Sequence, residues 1–275
     1  MPVIRIGHTP DADDAFMYYA IAHGKVPVGH YEVQHVLEDI QTLNQRALAG
    51  ELEGTAISAA VYPQVADKYR IMRVGSSIGR NYGPMVVATN ANASLSLNGA
   101  SVAIPGEYTT AYLLLRLYAQ GFKAIPMAFD EITDAVLTNQ VDAGLLIHEG
   151  QVTYADMGLA KILDLGEAWG QDTGLPIPLG LDMVRRDLGE EVDSLMVQSL
   201  RDSIAYAFEH EDEALEYARQ FSRGIDKETC RKFIRMYVNE DTLDMGEEGL
   251  KALETLFGKA KDAGIIESTP PLDLI

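Results

Sequence analysis

Short apolar runs alternate with helix-forming runs along the first 150 residues, and this alternation restricts the fold more than any other feature. "VIRIG" (Val3–Gly7) predicts a strand, and a helix is predicted from about Asp13 to His23, closed by Gly24. The pattern continues through "YEVQHVL", "IQTLNQRALAG", "GTAIS", "AAVYPQVADKY", "YRIMRV" and "PMVVAT". It indicates an α/β protein with mostly parallel strands.

A second unit with the same alternation follows. "ASVAIPG", "KAIPMAF" and "DAGLLIHEG" predict strands, "DEITDAVLTNQ" predicts a helix, and "TTAYLLLRLYAQG" predicts a helix closed by Gly121. After Asp187 the chain is mostly helical, with periodic segments near 190–209, 211–222, 227–238 and 247–263.

The two units carry a weak internal echo. "LAGELEGTAIS" and "LTNQVDAGLLIH" each lead through a small turn and an apolar strand to a polar tip, Ser58 in one and His148 in the other. Two such units predict two α/β lobes facing a shared cleft, because ligands of open α/β sheets bind at the carboxyl ends of strands. Chance similarity of helix-turn-strand units is the alternative that the residues leave open.

The order of the segments predicts a discontinuous arrangement of domains. We expect a larger lobe from residues 1–88 and 181–275, with a helical C-terminal part, and a smaller α/β lobe from 89–180. The chain would cross between them near Val86–Thr89 and Pro178–Val184, and two crossings make a hinge that can close around a ligand.

The charge balance limits the class of partner. Asp and Glu number 41 against 22 Lys and Arg, giving a formal net charge of −19. A phosphate backbone needs a basic surface, so we expect no nucleic acid partner. An anionic substrate would have to meet local donors, because the overall field repels it.

The chain also predicts its compartment. "MPVIRIGHTP" shows no basic segment followed by an apolar one, so we expect no signal peptide, and no apolar run is long enough to span a membrane. Cys230 is the single cysteine, which excludes an internal disulfide and a site of several thiolates. We therefore expect a cytoplasmic protein without a membrane partner.

The acid-rich stretch "GHTPDADDAF" allows three interpretations. Asp11, Asp13 and Asp14 supply oxygens, but the apolar "AFMYYA" that follows lacks the further ligands of a calcium loop, and we expect no metal. The favoured interpretation is a strand-to-helix turn in which these acids cap the helix and favour its positive end. One of them, Asp14, is also a candidate for substrate contact.

"GLLIHEG" places His148 at the end of an apolar strand, where a side chain can meet a ligand. An imidazole suits proton abstraction near neutral pH, so His148 is a candidate general base. An ordinary structural histidine is the alternative. Whether Glu149 orients the ring stays open, because adjacent strand residues point to opposite faces.

"IPGEYTTAY" predicts a carboxylate cradle at Thr109, Thr110 and Ala111, where hydroxyls meet the N–H groups that open a helix. The alternative is that Thr109 only caps that helix. "AIS" (Ala56, Ile57 and Ser58) is the matching candidate in the first lobe. Neither stretch has the glycine pattern of a nucleotide loop.

Several longer segments resemble one enzyme family along nearly the whole chain, in order. They are "TPDADDAFMYYA", "VLEDIQTLNQRAL", "AISAAVYPQVADKY", "GRNYGPMVVA", "IPGEYTTAYLLLRLYAQGF", "AGLLIHE", "DLGEAW", "TGLPIPLG" and "YVNEDTLDMGEEG". Together they resemble the 1,4-dihydroxy-6-naphthoate synthases of the futalosine route to menaquinone.

The resemblance implies a fold like that of type 2 periplasmic binding proteins, with a cleft between two lobes. It implies a lyase that converts cyclic dehypoxanthinylfutalosine to 1,4-dihydroxy-6-naphthoate without a cofactor. His148 would be the general base, and Ala56 to Ser58 and Thr109 to Ala111 would contact the substrate. The small-molecule substrate is then the expected partner, with a homodimer left open.

The chain departs from the family pattern in its first turn. Members often carry Ser-Pro-Cys-Pro-Asn-Asp, whereas "TPDADD" keeps Pro10 and Asp14 and replaces the cysteine and asparagine with Asp11 and Asp13. The contacts of these two acids are therefore left open. The competing functions are chorismate dehydratase, against which the His-Glu tip argues, a solute-binding protein and a cytoplasmic sensor of a small anion.

Overall fold

The computed structural model describes residues 1–80 and 82–275; Asn81, which falls in "GRNYGPMVVA", lies outside them. Among these residues there are eleven strands: β1 (Val3–His8), β2 (Glu32–Leu37), β3 (Gly54–Ser58), β4 (Tyr69–Ile71), β5 (Ser77–Gly79), β6 (Met85–Thr89), β7 (Ser101–Ile104), β8 (Lys123–Pro126), β9 (Ala143–Leu146), β10 (Leu159–Asp164) and β11 (Ile177–Arg185).

The α-helices in the same part of the chain are α1 (Ala12–Met17), α2 (Tyr19–Ala22), α3 (Ile40–Ala49), α4 (Tyr62–Val65), α5 (Thr110–Tyr118), α6 (Ile132–Leu137), α7 (Gly150–Thr153), α8 (Leu165–Thr173), α9 (Glu190–Glu209), α10 (Glu211–Ala218), α11 (Lys227–Tyr237), α12 (Glu240–Leu243) and α13 (Gly246–Asp262). Short 3-10 turns cover Ala59–Val61, Asn90–Asn92, Arg186–Leu188 and Arg219–Phe221. The four helical segments predicted after Asp187 are confirmed as α9, α10 with its 3-10 continuation, α11 and α13.

The strands form two sheets. The first has the order β2-β1-β3-β11-β4, with β5 also paired to β11, and the second has the order β10-β6-β9-β7-β8. The chain passes from the first sheet to the second between β5 and β6 and returns between β10 and β11. The change of sheet therefore comes before Met85 and before Ile177, and the lobe boundaries at 88/89 and 180/181 stay a prediction.

The prediction of mostly parallel strands is wrong. β1 pairs in parallel with β2 and β3, and β7 pairs in parallel with β8 and β9. β11 runs antiparallel to β3, β4 and β5, and β6 runs antiparallel to β9 and β10. The two antiparallel strands are the ones that follow the crossings between sheets, so no βαβ connection sets their direction.

Two predicted helices also differ from the structure. The helix predicted from Asp13 to His23 is interrupted at Tyr18, whose ring stacks on His8 at 4.3 Å and whose hydroxyl donates to Asp182 at 3.0 Å. Helix α5 ends at Tyr118, because Ala119 is extended with φ −136°. Gly121, predicted as its cap, lies beyond it.

Helix α8, which precedes the return of the chain to the first sheet, packs closely against residues 82–83, where the chain leaves that sheet. Trp169 of α8 is fully buried and donates from its indole nitrogen to the carbonyl of Pro176 at 2.9 Å. On the same helix, an added Cβ at Gly166 would lie 2.4 Å from the carbonyl carbon of Tyr82 and 2.6 Å from the amide nitrogen of Gly83. Only glycine allows α8 to approach the backbone this closely.

This packing predicts a contrast between two glycines of one helix. Gly166→Ala should lower the free energy of unfolding by about 1–3 kcal/mol, because the crossing backbone must move. Gly170→Ala is the matched control; it has open space around it and should raise stability by about 0.5–1 kcal/mol through helix propensity. Urea denaturation of both variants measures the difference, and equal stability would contradict the close approach.

Candidate active site

A cleft lies between the two sheets and encloses roughly 700 Å³ of empty space, including the part open to solvent. All eight side chains predicted for the site line it: Asp14, Ala56, Ile57, Ser58, Thr109, Thr110, Ala111 and His148. The cleft thus brings these residues together, while their chemical roles stay predictions.

Strand ends and the turns after them deliver the predicted residues to the cleft. Ser58 is the last residue of β3, and Thr109 follows β7 at the start of α5. His148 lies in the turn after β9, two residues beyond Leu146, and its φ of 56° is in the left-handed region. Few residues other than glycine adopt that conformation, and it is common at functional sites.

His148 contacts a carboxylate and an aromatic ring. Its Nδ1 lies 3.2 Å from Oδ2 of Asp11, an ion-pair distance, and its ring meets Phe129 edge-on with centroids 4.9 Å apart. In the part of the chain that the structure describes, Nε2 has no protein hydrogen-bond partner. The ring therefore presents one nitrogen to Asp11 and leaves the other for a ligand.

Arg223 holds the same carboxylate from the other side. Its guanidinium lies 2.5 Å from Oδ1 of Asp11 and 2.6 Å from Oε2 of Glu149, and it stacks over the ring of Phe129 at 4.6 Å. Glu149 thus pairs with Arg223, and Asp11 is the acid that touches the His148 ring. The question that the sequence left open about Glu149 is answered by this arrangement.

The prediction for the first turn is confirmed in part: Asp13 and Asp14 lie in the first turn of α1, near its positive end, but the predicted capping hydrogen bond is absent. Asp11 occupies the N-cap position of α1, but its side chain makes no capping hydrogen bond. Burial against Arg223 and His148 turns the carboxylate away from the helix. Asp14 instead accepts from the backbone N–H of Thr9 at 2.6 Å and from its hydroxyl at 2.9 Å.

Buried carboxyl groups make this end of the cleft acidic. Burial raises the pKa of Asp13 well above its usual value, and the nearby charges of Asp14, Asp11 and Glu149 add to the effect. Burial likewise raises the pKa of Asp14 to about 6 and that of Asp182 well above its usual value. These groups hold protons more tightly than ordinary aspartates, so they can act as hydrogen-bond donors.

Hydroxyl groups organise another part of the cleft lining. Asn44 fixes Ser58 by donating to its Oγ at 3.0 Å and accepting from its N–H at 2.8 Å. Thr109 accepts from the N–H of Tyr112 at 3.2 Å, so the capping interpretation of this residue is confirmed. The capping bond does not exclude a cradle, because the first N–H groups of a helix have no acceptor within it.

Thr110 has a structural role that the sequence did not reveal. Its hydroxyl donates to the carbonyl of Leu179 at 2.7 Å and accepts from the N–H of Ala60 at 3.1 Å. It therefore links the start of α5 to β11 and to the turn after β3. The donors left for an anion here are the backbone N–H groups of α5 and the hydroxyl of Ser58.

Sequence reasoning missed several polar residues. Arg223 holds Asp11, and the cleft is also lined by Gln151, Asp182 and Tyr237. Gln151 of α7 donates to the hydroxyl of Tyr237 at 2.5 Å and so joins α7 to α11. The one sequence signal for Arg223 is "SRG", a short polar turn between helices, which by itself predicts no site.

Two absences apply to residues 1–80 and 82–275, the part of the chain that the structure describes. No three histidine, cysteine, aspartate or glutamate side chains are grouped to hold a metal ion. No helix has both the length and the hydrophobicity needed to cross a bilayer.

Solved structures define the class of fold. A protein from Archaeoglobus fulgidus superposes with a TM-score of 0.92 at 52% identity, over 96% of this chain and 98% of that chain. The alkanesulfonate-binding protein SsuA from Xanthomonas axonopodis pv. citri superposes with a TM-score of 0.73 at 12% identity, over 100% of this chain and 98% of that chain. The predicted periplasmic-binding-protein-like fold is confirmed.

The chain belongs to the menaquinone biosynthesis family, whose sequence profile matches residues 4–262. It is 43% identical to the 1,4-dihydroxy-6-naphthoate synthase of Thermus thermophilus, over 98% of both chains. It is 37% identical to the synthase of the same name from Streptomyces coelicolor, over 98% of this chain and 96% of that one. The resemblance noted in the sequence is confirmed.

The acidic end of the cleft predicts a pH-dependent stability. The pKa of Asp182 is raised in the folded protein, so above about pH 4 the unfolded chain loses this proton first. Folding stability then falls with rising pH, by about 1.4 kcal/mol for each pH unit up to the folded pKa. Asp182→Asn removes this loss, and its amide oxygen can still accept from Tyr18.

The advantage of Asp182→Asn over the unmodified protein should therefore grow between pH 4.5 and pH 7.5 in urea denaturation. Asp142→Asn is the control, because hydrogen bonds from Ser101 lower the pKa of Asp142. That variant should gain nothing over the same interval. A constant difference for Asp182→Asn would show that this carboxyl ionises normally in the fold.

Proposed function

We propose that the protein is a carbon–carbon lyase that converts cyclic dehypoxanthinylfutalosine to 1,4-dihydroxy-6-naphthoate, with His148 as general base. One observation carries the proposal. In a chain 43% identical to a named synthase, the cleft brings His148 together with the two segments 56–58 and 109–111, and Nε2 of His148 has no protein hydrogen-bond partner among residues 1–80 and 82–275. The proposal includes a cytoplasmic location and needs no cofactor.

The site supports a proton abstraction. Nε2 of His148 removes a proton from the bound substrate, which opens the ribose-derived ring and leads to carbon–carbon cleavage. The sugar-derived fragment leaves, and formation of the aromatic naphthalene drives the reaction forward.

The polarity of the cleft supports one orientation of the substrate. Its carboxylate would lie at the N-terminus of α5 near Ser58, where N–H and hydroxyl groups and the helix dipole favour an anion. Its hydroxyls would face the buried acids Asp13, Asp14 and Asp182. Closure of the two lobes would exclude water and hold the reacting carbon against His148.

His148→Asn should lower kcat by about 10²–10⁴-fold, the usual contribution of a general base, and leave thermal unfolding close to that of the unmodified protein. His30→Asn is the control, because His30 is exposed and outside the cleft. The measurement is product identification by mass spectrometry after incubation with cyclic dehypoxanthinylfutalosine. Turnover near normal in His148→Asn would refute the assignment of the base.

The same incubation with chorismate separates the competing enzyme class. Consumption of chorismate, with the cyclic substrate untouched, would identify a dehydratase and overturn the proposed lyase. Tight binding of an aromatic carboxylate without turnover of either compound would instead identify a binding protein.

A further inference from the structure

Asp11 is a buried carboxylate that joins three separate parts of the chain. It lies in the turn between β1 and α1, His148 follows β9 of the second sheet, and Arg223 lies in the turn between α10 and α11. The Asp11 side chain is only 2% exposed. A carboxylate buried to this degree needs partners for its charge, and here each oxygen has its own.

The two carboxylate oxygens of Asp11 have different partners, and this fixes the orientation of the carboxylate. Oδ1 lies 2.5 Å from Nη2 of Arg223, and Oδ2 lies 3.2 Å from Nδ1 of His148. Since a guanidinium can only donate, Arg223 fixes one side of the carboxylate and turns the other toward the imidazole. A negative oxygen at that distance favours the tautomer with its proton on Nδ1, which leaves the lone pair on Nε2.

The backbone also indicates that this arrangement is held against a cost. His148 has φ 56° and Arg223 has φ 50°, and the third residue of this kind in the described part of the chain is an asparagine, Asn139. Asparagine and histidine are enriched in this region among residues other than glycine, whereas arginine enters it less readily. Such conformations cost of order 1–3 kcal/mol and persist where the surroundings fix them.

We propose that Asp11 and Arg223 are positioning residues for His148, with Arg223 orienting Asp11 and Asp11 holding the imidazole in the tautomer that leaves Nε2 free. Neither needs to touch the substrate. Phe129 contacts both side chains, edge-on to the His148 ring and with its face toward the Arg223 guanidinium. The catalytic part of this inference rests on the proposed function, whereas the tautomer does not.

Asp11→Asn tests the inference directly. Arg223 must bind the amide oxygen, so the amide NH₂ faces Nδ1 and favours the opposite tautomer, with the proton on Nε2. We expect kcat for cyclic dehypoxanthinylfutalosine to fall by at least about 100-fold, with KM changed by less than about threefold, as for other histidines that lose an orienting carboxylate. Nitrogen-15 NMR of histidine-labelled protein reads the tautomer, with His148→Asn identifying the signal.

Arg223→Gln and Arg223→Lys form the second arm. The glutamine variant loses the charge that holds Asp11 and should lower kcat by about 10-fold or more, a typical effect of losing an orienting contact. The lysine variant keeps one ammonium and should recover part of the loss. Arg231→Gln is the control: Arg231 also pairs with three acids, Glu211, Asp212 and Glu228, and this variant should leave kcat and the NMR signal unchanged.

Two results would overturn the inference. One is an Asp11→Asn variant with kcat within threefold of normal, and the other is a fall in kcat with an unchanged tautomer, which would indicate a structural role only. Thermal denaturation identifies any variant that fails to fold, and the lysine variant then decides. If the unmodified protein makes no product, the proposed function fails, while the tautomer comparison still decides whether Asp11 orients His148.

Discussion

A single buried carboxylate, that of Asp11, connects the three parts of the chain that meet at the acidic end of the cleft. Asp11 is held between Arg223 and His148, and these residues come from the first sheet, the helical C-terminal part and the second sheet. Removal of the Arg223 guanidinium would leave the Asp11 carboxylate as an uncompensated charge in a buried place, which costs several kcal/mol in typical proteins. The turn after β1, the turn after β9 and the turn before α11 are therefore constrained together.

The sequence predicted the parts of this structure that depend on local pattern. Apolar runs gave the strands, helical periodicity gave α9 to α13, and the tips of β3 and β9 pointed to Ser58 and His148 as cleft residues. What failed depends on contacts between distant residues. Strand direction in β6 and β11 follows from the crossings between sheets, and Asp11 looked like a helix cap because its true partners lie 137 and 212 positions away.

Arg223 shows why part of the site was out of reach. It lies in a short turn between two helices and belongs to no periodic sequence pattern. Its contact with Phe129 exists only in the folded chain, where α10 and α11 place it over that ring. Asp182 is similar, since it is embedded in the long strand β11 among apolar residues and meets Tyr18 through the fold. No local spacing distinguishes either residue from an ordinary surface charge or a strand polar group.

The contact between Asp11 and His148 joins the turn after β1 of the first sheet to the turn after β9 of the second. Nδ1 of His148 and Oδ2 of Asp11 are 3.2 Å apart. A displacement of one sheet relative to the other by about one bond length would break this contact and leave the tautomer of the imidazole unconstrained. The orientation of the His148 ring therefore depends on the relative position of the two sheets. Buried residues of both sheets, such as Leu181 and Leu145, belong to one hydrophobic cluster, so a movement that breaks this contact would also disturb that shared core.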